Sequence, residues 1–301
     1  VAVIDAVTLS VKTVDAGNGP TYLAAVPGAG DAAVVLNVLS DDATLLRVNG
    51  SSLDAKTFKT AHGLNSWSLS ADGRWAIAWT DARKVTNAKK TQGFQDLTVV
   101  DLTGVVPPQV LAVGYRPLTV GFAGTSEAYA VTQDGISIVS LAGPTPALTK
   151  NVAISDDPLE DPGTRDASVT PDGTLAIVRR DNNADLTFVS LATGIRSKFT
   201  LSGPVSDLDL SLTGDKAVAV VKKTGIASVL PIPQIVSDPL AAKSVTLTGE
   251  TVGSVAISQS GSKALLYTNA SDVERISVVS LDAAPTFRTI RLYAPVLAVF
   301  S

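Results

Sequence analysis

An all-β repeat fold is what this chain predicts, and three observations carry the prediction. A hairpin signature recurs in Ser68-Leu-Ser-Ala-Asp-Gly-Arg-Trp-Ala76, Ser168-Val-Thr-Pro-Asp-Gly-Thr-Leu-Ala176, Asp209-Leu-Ser-Leu-Thr-Gly-Asp-Lys-Ala217 and Ala256-Ile-Ser-Gln-Ser-Gly-Ser-Lys-Ala264. The turn glycines Gly30, Gly73, Gly124, Gly173, Gly214 and Gly261 stand 43, 51, 49, 41 and 47 residues apart, Gly124 with one residue of slippage. A near-continuous apolar run then follows the hairpin in most units. Repeats of this length with several strands each predict a β-propeller, here of seven blades with four antiparallel strands apiece.

The first two strands of each blade are read from the glycine. Three residues past it stand Ala33, Ala76, Ala176, Ala217 and Ala264, and four past it Val34, Ile77, Ile177, Val218 and Leu265. Four before it stand Val26, Leu69, Val169, Leu210 and Ile257. Alternation about a glycine turn is the hairpin pattern, and a small residue at one fixed point predicts close approach between blades. The third strand reads 97–102, 136–141, 186–191 and 276–281, apolar on both faces as stacked sheets require. A weaker outer strand follows, as at 196–201 and 287–292.

These units place blades at about 20–62, 63–112, 113–160, 161–203, 204–250 and 251–292, within one domain of 301 residues. The opening residues 1–19 match a third and fourth strand, and the closing 293–301 a first strand, so the two ends are expected to share a last, split blade. That blade lacks a second strand, which predicts further sequence beyond Ser301 or before Val1. Residue 1 is Val and methionine is absent, so the chain reads as a processed form or a window from something longer.

Composition narrows the function classes. Charged residues are 17% and the net charge is −4, with no basic stripe to follow a phosphate backbone, which argues against nucleic acid. Cysteine is absent, so a disulfide framework and a thiolate metal site are excluded. No apolar run reaches the length of a membrane span. A cysteine-free, mildly acidic β chain rich in Thr, Ser, Ala and Val suits an extracytoplasmic place: periplasm, cell surface or secreted.

The repeat resembles a known one. Val169-Thr-Pro-Asp-Gly-Thr-Leu-Ala-Ile177, the loop Asp181-Asn-Asn-Ala-Asp185, the run 186–191 with Ala192-Thr-Gly194, and the opening 1–20 resemble the YVTN-type repeat, a WD40-like propeller grammar of secreted and surface-layer proteins. It is similar to the seven-bladed lactonase-like propellers. Ile177-Val-Arg-Arg-Asp-Asn182 and Leu266-Tyr-Thr-Asn-Ala270 stand where the literal Tyr-Val-Thr-Asn string belongs. The resemblance implies an extracytoplasmic binding or scaffold role.

Residues with chemistry are few. The single histidine, His62, lies in a loop between blades, and no Gly-x-Ser-x-Gly nucleophile elbow occurs. Asp181, Asn183 and Asp185 form the Asp-x-Asn-x-Asp opening of a calcium loop, though Leu186 replaces its glycine, so calcium is the only cofactor the sequence offers. A polar hairpin tip explains the same residues. Asp156, Asp157, Glu160 and Asp161 make the most acidic stretch, a cation or basic-partner site or else a solvated loop. Trp67, Trp75 and Trp79 cluster within thirteen residues, as inter-blade packing or as a contact hot spot. Beside them, Arg83, Lys84, Lys89 and Lys90 make the longest loop basic. The reading that results is a non-enzymatic protein-binding scaffold in a cell-envelope or surface assembly. The alternatives are a lactonase-like hydrolase with a metal or carboxylate site in a central funnel, and a calcium-stabilised adhesive module.

Overall fold

The computed structural model describes residues 1–50, 52–87, 93–157 and 160–299. Its strands fall in two compact units, Val1–Ala153 and Ile154–Ser301. In the first unit, β1 (Ala2–Ile4) and β2 (Val11–Thr13) form a two-stranded sheet. Three four-stranded sheets follow. They are β3 (Pro20–Ala25), β4 (Ala32–Asn37), β5 (Asp42–Asn49) and β6 (Ser52–Lys59); then β7 (Ser66–Leu69), β8 (Trp75–Trp79), β9 (Asp96–Asp101) and β10 (Gln109–Ala112); then β11 (Thr119–Ala123), β12 (Glu127–Val131), β13 (Ile136–Ser140) and β14 (Ala147–Val152).

The second unit holds three more. They are β15 (Arg165–Val169), β16 (Leu175–Arg180), β17 (Asp185–Ser190) and β18 (Arg196–Thr200); β19 (Asp207–Leu210), β20 (Lys216–Val221), β21 (Ile226–Pro231) and β22 (Lys243–Thr246); and β23 (Ser254–Ile257), β24 (Lys263–Tyr267), β25 (Arg275–Ser280) and β26 (Phe287–Arg291). In every four-stranded sheet the spatial order follows the chain and each neighbour is antiparallel. Residues 293–299, from the segment 293–301 that the pattern reads as a first strand, carry no strand pairing, and among the described residues β1 pairs only with β2.

The turn chemistry explains why the signature repeats. In Ser70-Ala-Asp-Gly73, the Ser70 hydroxyl donates to Asp72 Oδ1 at 2.6 Å and accepts the Trp75 N–H at 2.9 Å, while Asp72 Oδ1 accepts the Arg74 N–H at 3.1 Å. Thr170 and Asp172 repeat all three bonds with Thr174 and Leu175. Ser211 and Ser258 accept the N–H of Lys216 and Lys263 in the same way, both at 3.2 Å. A hydroxyl residue three before the glycine thus staples the turn from inside.

The alanine position is a packing device. Ala76, Ala176, Ala217 and Ala264 are buried, and their neighbours Ile77, Ile177 and Val218 are buried on the opposite face of the same strand. In the first unit Trp75, Ile77 and Trp79 of β8 pack with Val120, Ala128 and Val139 of the next sheet, while Ala76 packs with Val34 and Leu45 of the preceding one. In the second, Val218, Val220 and Val229 meet Val255, Leu266 and Val279. Each large side chain so buried contributes about 1.5–3 kcal/mol.

A further regularity was not read from the sequence. The third strands bury one hydroxyl each at matching places: Thr44, Thr98, Ser137, Thr187, Ser228 and Ser277. Thr98 Oγ1 accepts the Ala61 N–H at 2.9 Å and Ser137 Oγ accepts the Gly114 N–H at 3.0 Å, so the hydroxyl holds the linker that leads into its own sheet.

Candidate functional site

In the sheet β15–β18 the buried hydroxyl, Thr187, is met by an arginine instead, and a site results. Arg165 and Arg180 face each other directly across β15 and β16. Like charges opposite one another in a sheet repel, so a counter-ion is required. Glu160, from the linker ahead of β15, supplies it: Arg165 Nη1 donates to Oε2 at 2.7 Å and Arg180 Nε donates to Oε1. The three side chains are only 7–17% exposed. Burial acts to raise the Glu160 pKa, but hydrogen bonds from Arg180, Ser155 and Arg165 outweigh it and bring the carboxyl down to about 2.

Arg180 then takes the place that linker backbone has at Thr98 and Ser137. Its Nη1 donates to the buried Thr187 hydroxyl at 2.8 Å and its Nη2 to the Ile154 carbonyl at 3.1 Å. The guanidinium thus bridges linker and sheet, leaving the linker standing off the sheet face. Between them lies a cavity of about 180 Å³, lined by Ser155, Asp156, Asp157 and Glu160 from the linker and by Arg180, Asn183, Asp185, Thr187, Arg196 and Lys198 from the sheet. Arg196 Nη2 pairs with Asp156 across it.

Two segments nominated separately from the sequence therefore meet here: Asp156, Asp157 and Glu160 from one, Asn183 and Asp185 from the other. Asp161 lies outside the cavity and caps a short 3-10 turn, accepting the Gly163 N–H at 2.9 Å. Asp181 turns to Arg179, 3.4 Å away. Asn183 Oδ1 accepts the Asp185 N–H at 2.8 Å, and Asp185 Oδ1 accepts the Thr200 hydroxyl at 2.6 Å. A calcium ion on Asp181, Asn183 and Asp185 has to displace these contacts. Among the described residues no three His, Cys, Asp or Glu side chains converge on a metal position.

The other nominated cluster divides. Trp75 and Trp79 are 1% and 7% exposed and belong to the core, so the contact-surface reading does not extend to them. The physical reason is the strand period: both indoles occupy the face of β8 that the next sheet covers. Trp67 is half-buried against the neighbouring sheet. Arg83 makes two bonds to Asp81, both 2.9 Å, and a third to the Leu118 carbonyl at 2.7 Å. Lys84 reaches Ser66 Oγ at 2.8 Å and lies over the Tyr22 ring. Lys89 and Lys90 lie outside the described residues. His62 is exposed and its Nδ1 lies 2.8 Å from Asp41 Oδ2, whose hydrogen bond and charge raise the imidazole pKa.

Sequence reasoning missed Arg165, Arg180, Arg196 and Lys198. The last two alternate on the weak outer strand, where alternation by itself marks no cavity. It also missed a carboxylate clasp. On β19, Asp207 Oδ2 accepts the Val255 N–H at 2.9 Å and Asp209 Oδ2 accepts the Ile257 N–H at 2.6 Å, so two side chains satisfy alternate backbone donors of β23. Burial is the main cause that raises the Asp207 pKa, and the like charge of Asp209 adds to it; the Val255 and Leu208 N–H groups and Arg179 oppose it. A carboxyl whose folded pKa is raised contributes stability that is full below its unfolded value of 3.8 and is lost as pH rises through the folded pKa. Asp207→Asn keeps an acceptor for Val255 without the charge. It is expected to raise the melting temperature at pH 7 and to flatten the decline from pH 4 to 7, whereas Asp207→Ala lowers the melting temperature at both. Melting curves across that range check this; an Asn variant that loses stability at pH 7 contradicts it.

No protein-family model matches the chain, and no curated protein matches its sequence. Solved structures do. The Kuenenia stuttgartiensis hydrazine synthase aligns with a TM-score of 0.50 and 12% identity, over 90% of this chain and 79% of that one. The Myceliophteria thermophila Cps50 (Swd1) β-propeller domain aligns with a TM-score of 0.51 and 12% identity, over 93% and 89%. At this identity the likeness concerns fold alone. The fold is a β-propeller. Among the described residues it has six four-stranded sheets and one two-stranded sheet, each built of consecutive strands.

Proposed function

We propose that this propeller is a protein-binding scaffold of the cell envelope or extracellular space, of the YVTN-type repeat class, and that its partner docks on the linker that carries Asp156 and Asp157. One observation carries the reading: Asp156 and Asp157 are exposed carboxylates, while Glu160 of the same linker is tied to Arg165 and Arg180. The repeat grammar of 169–177 and the cysteine-free, mildly acidic composition support the extracytoplasmic placement.

The test is the native mass of the protein isolated from its source, with companions identified, followed by Asp156→Lys with Asp157→Lys. A large assembly is expected, with capture of the companion reduced about tenfold or more by the charge reversal and weakened by salt. A lone monomer, or capture indifferent to both charges, overturns the reading. The second reading, an enzyme with carboxylates on a first strand, is favoured by Asp207 and Asp209 on β19. Hydrazine synthase is an enzyme that shares the fold, and hydrolase screening of Asp209→Asn against the parent tests that reading.

A further inference from the structure

The cavity between the linker and the sheet β15–β18 has valences left over. On the sheet side, Lys198 sits opposite Thr187, and Asp185 opposite Thr200, so lysine and aspartate are diagonal neighbours on one face. Diagonal neighbours stand about 7–8 Å apart at their backbones. The two charges do not pair: Lys198 makes no ion pair or hydrogen bond among the described residues, and Asp185 spends Oδ1 on Thr200. Asn183 commits its Oδ1 to the Asp185 N–H, and its amide nitrogen has no acceptor among the described residues. Asp156 faces them from the linker, with one oxygen committed to Arg196.

The lining therefore offers two free kinds of contact. An ammonium and an amide donate; carboxylate oxygens of Asp185 and Asp156 accept. The deeper charges, Glu160 with Arg165 and Arg180, are mutually engaged and set the floor. A simple anion meets the aspartates as well as the lysine, and a simple cation meets the lysine as well as the aspartates. A solute that carries both charges a few bonds apart satisfies both sets. The volume of about 180 Å³ suits a small solute rather than a peptide segment or a macromolecule.

We propose that this cavity is a binding site for a small zwitterion of the α-amino-acid class, its carboxylate on Lys198 and Asn183 and its ammonium on Asp185 and Asp156. No covalent step is involved, and Asp156 belongs both to this cavity and to the linker face proposed for a partner. Charge-assisted hydrogen bonds at both ends supply the affinity.

Calorimetric titration of the full chain with glycine, glutamate and lysine, and with acetate and methylammonium as singly charged controls, tests it. At least one amino acid is expected to bind about tenfold or more tightly than either control, a difference of one free-energy decade. Lys198→Gln and Asp185→Asn are each expected to weaken it about tenfold while circular dichroism and melting stay at the parent values. Acetate binding as tightly as the amino acids makes this an anion site and overturns the proposal. Equal affinity in Lys198→Gln, or no heat with any amino acid at millimolar concentration, overturns it too. Capture of the companion by Lys198→Gln separates the two readings: Lys198 lines the cavity from the sheet side, so the variant is expected to lose the amino acid and keep the companion, and loss of the companion with an unchanged amino-acid affinity overturns the proposal.

Discussion

Glu160→Ala is expected to destabilise the protein by about 3–4 kcal/mol, the range for removing one member of a buried ion pair. Two arginines directly opposite each other on β15 and β16 then keep their charges, 7% and 17% exposed, without the carboxylate that bridged them. The linker loses its anchor, and Arg180 has only Thr187 and Ile154 to hold it. Glu160→Gln keeps an acceptor and the shape but not the charge, and is expected to cost about 2 kcal/mol. The pH dependence separates charge from shape. The folded pKa, about 2, lies below the unfolded 4.5, so this contribution is complete above pH 5 and is lost as pH falls toward 2. Its full size is about 3 kcal/mol. Denaturant midpoints of parent and Gln variant are expected to converge as pH falls from 5 to 2.5. Parallel curves contradict the assignment.

Gly73→Ala is the second large effect. Gly73 has φ +69, a left-handed conformation that costs an L-residue about 1–2 kcal/mol. An added Cβ also stands 2.1 Å from the Pro27 carbonyl oxygen, a backbone atom of the preceding sheet's turn. Strain and overlap together are expected to cost about 3–4 kcal/mol. Gly124 is the control: φ is +62, but a Cβ there meets nothing within 4 Å, so Gly124→Ala is expected to cost only about 1–2 kcal/mol. Equal costs in thermal or denaturant unfolding contradict the packing argument.

The comparison of these glycines shows how far a sequence reading reaches. Both mark a hairpin in the repeat, and turn chemistry makes both legible. Which one packs against another sheet is not, because Pro27 is remote in sequence from Gly73. The same holds for the tryptophans. Their shared face on β8 follows from the strand period, but its burial follows from Val120, Ala128 and Val139 of the next sheet. Residues 293–299 have strand periodicity without strand pairing, since alternation sets which face a side chain takes and leaves open whether an edge is present to pair with.

The candidate site divides along the same line. Asp156, Asp157 and Glu160 stand out as an acidic stretch, and Asn183 and Asp185 as a polar hairpin tip. Arg165, Arg180, Arg196 and Lys198 look like isolated surface charges. Their meeting depends on the register of three strand pairs, in which a shift of one residue sends Arg180 and Lys198 to the other face.

By itself, then, the sequence determined the blade repeat, the hairpin turns and the inward faces of the strands. These rest on contacts between residues within five positions of one another, such as Ser70 with Asp72 and Trp75. Only the tertiary structure decided that Glu160 neutralises two facing arginines, that the indoles of Trp75 and Trp79 are core, and that Lys198 and Asp185 share a cavity without pairing. Those are relations between strands, and charge or size at one position carries no record of what the sheet register places opposite it.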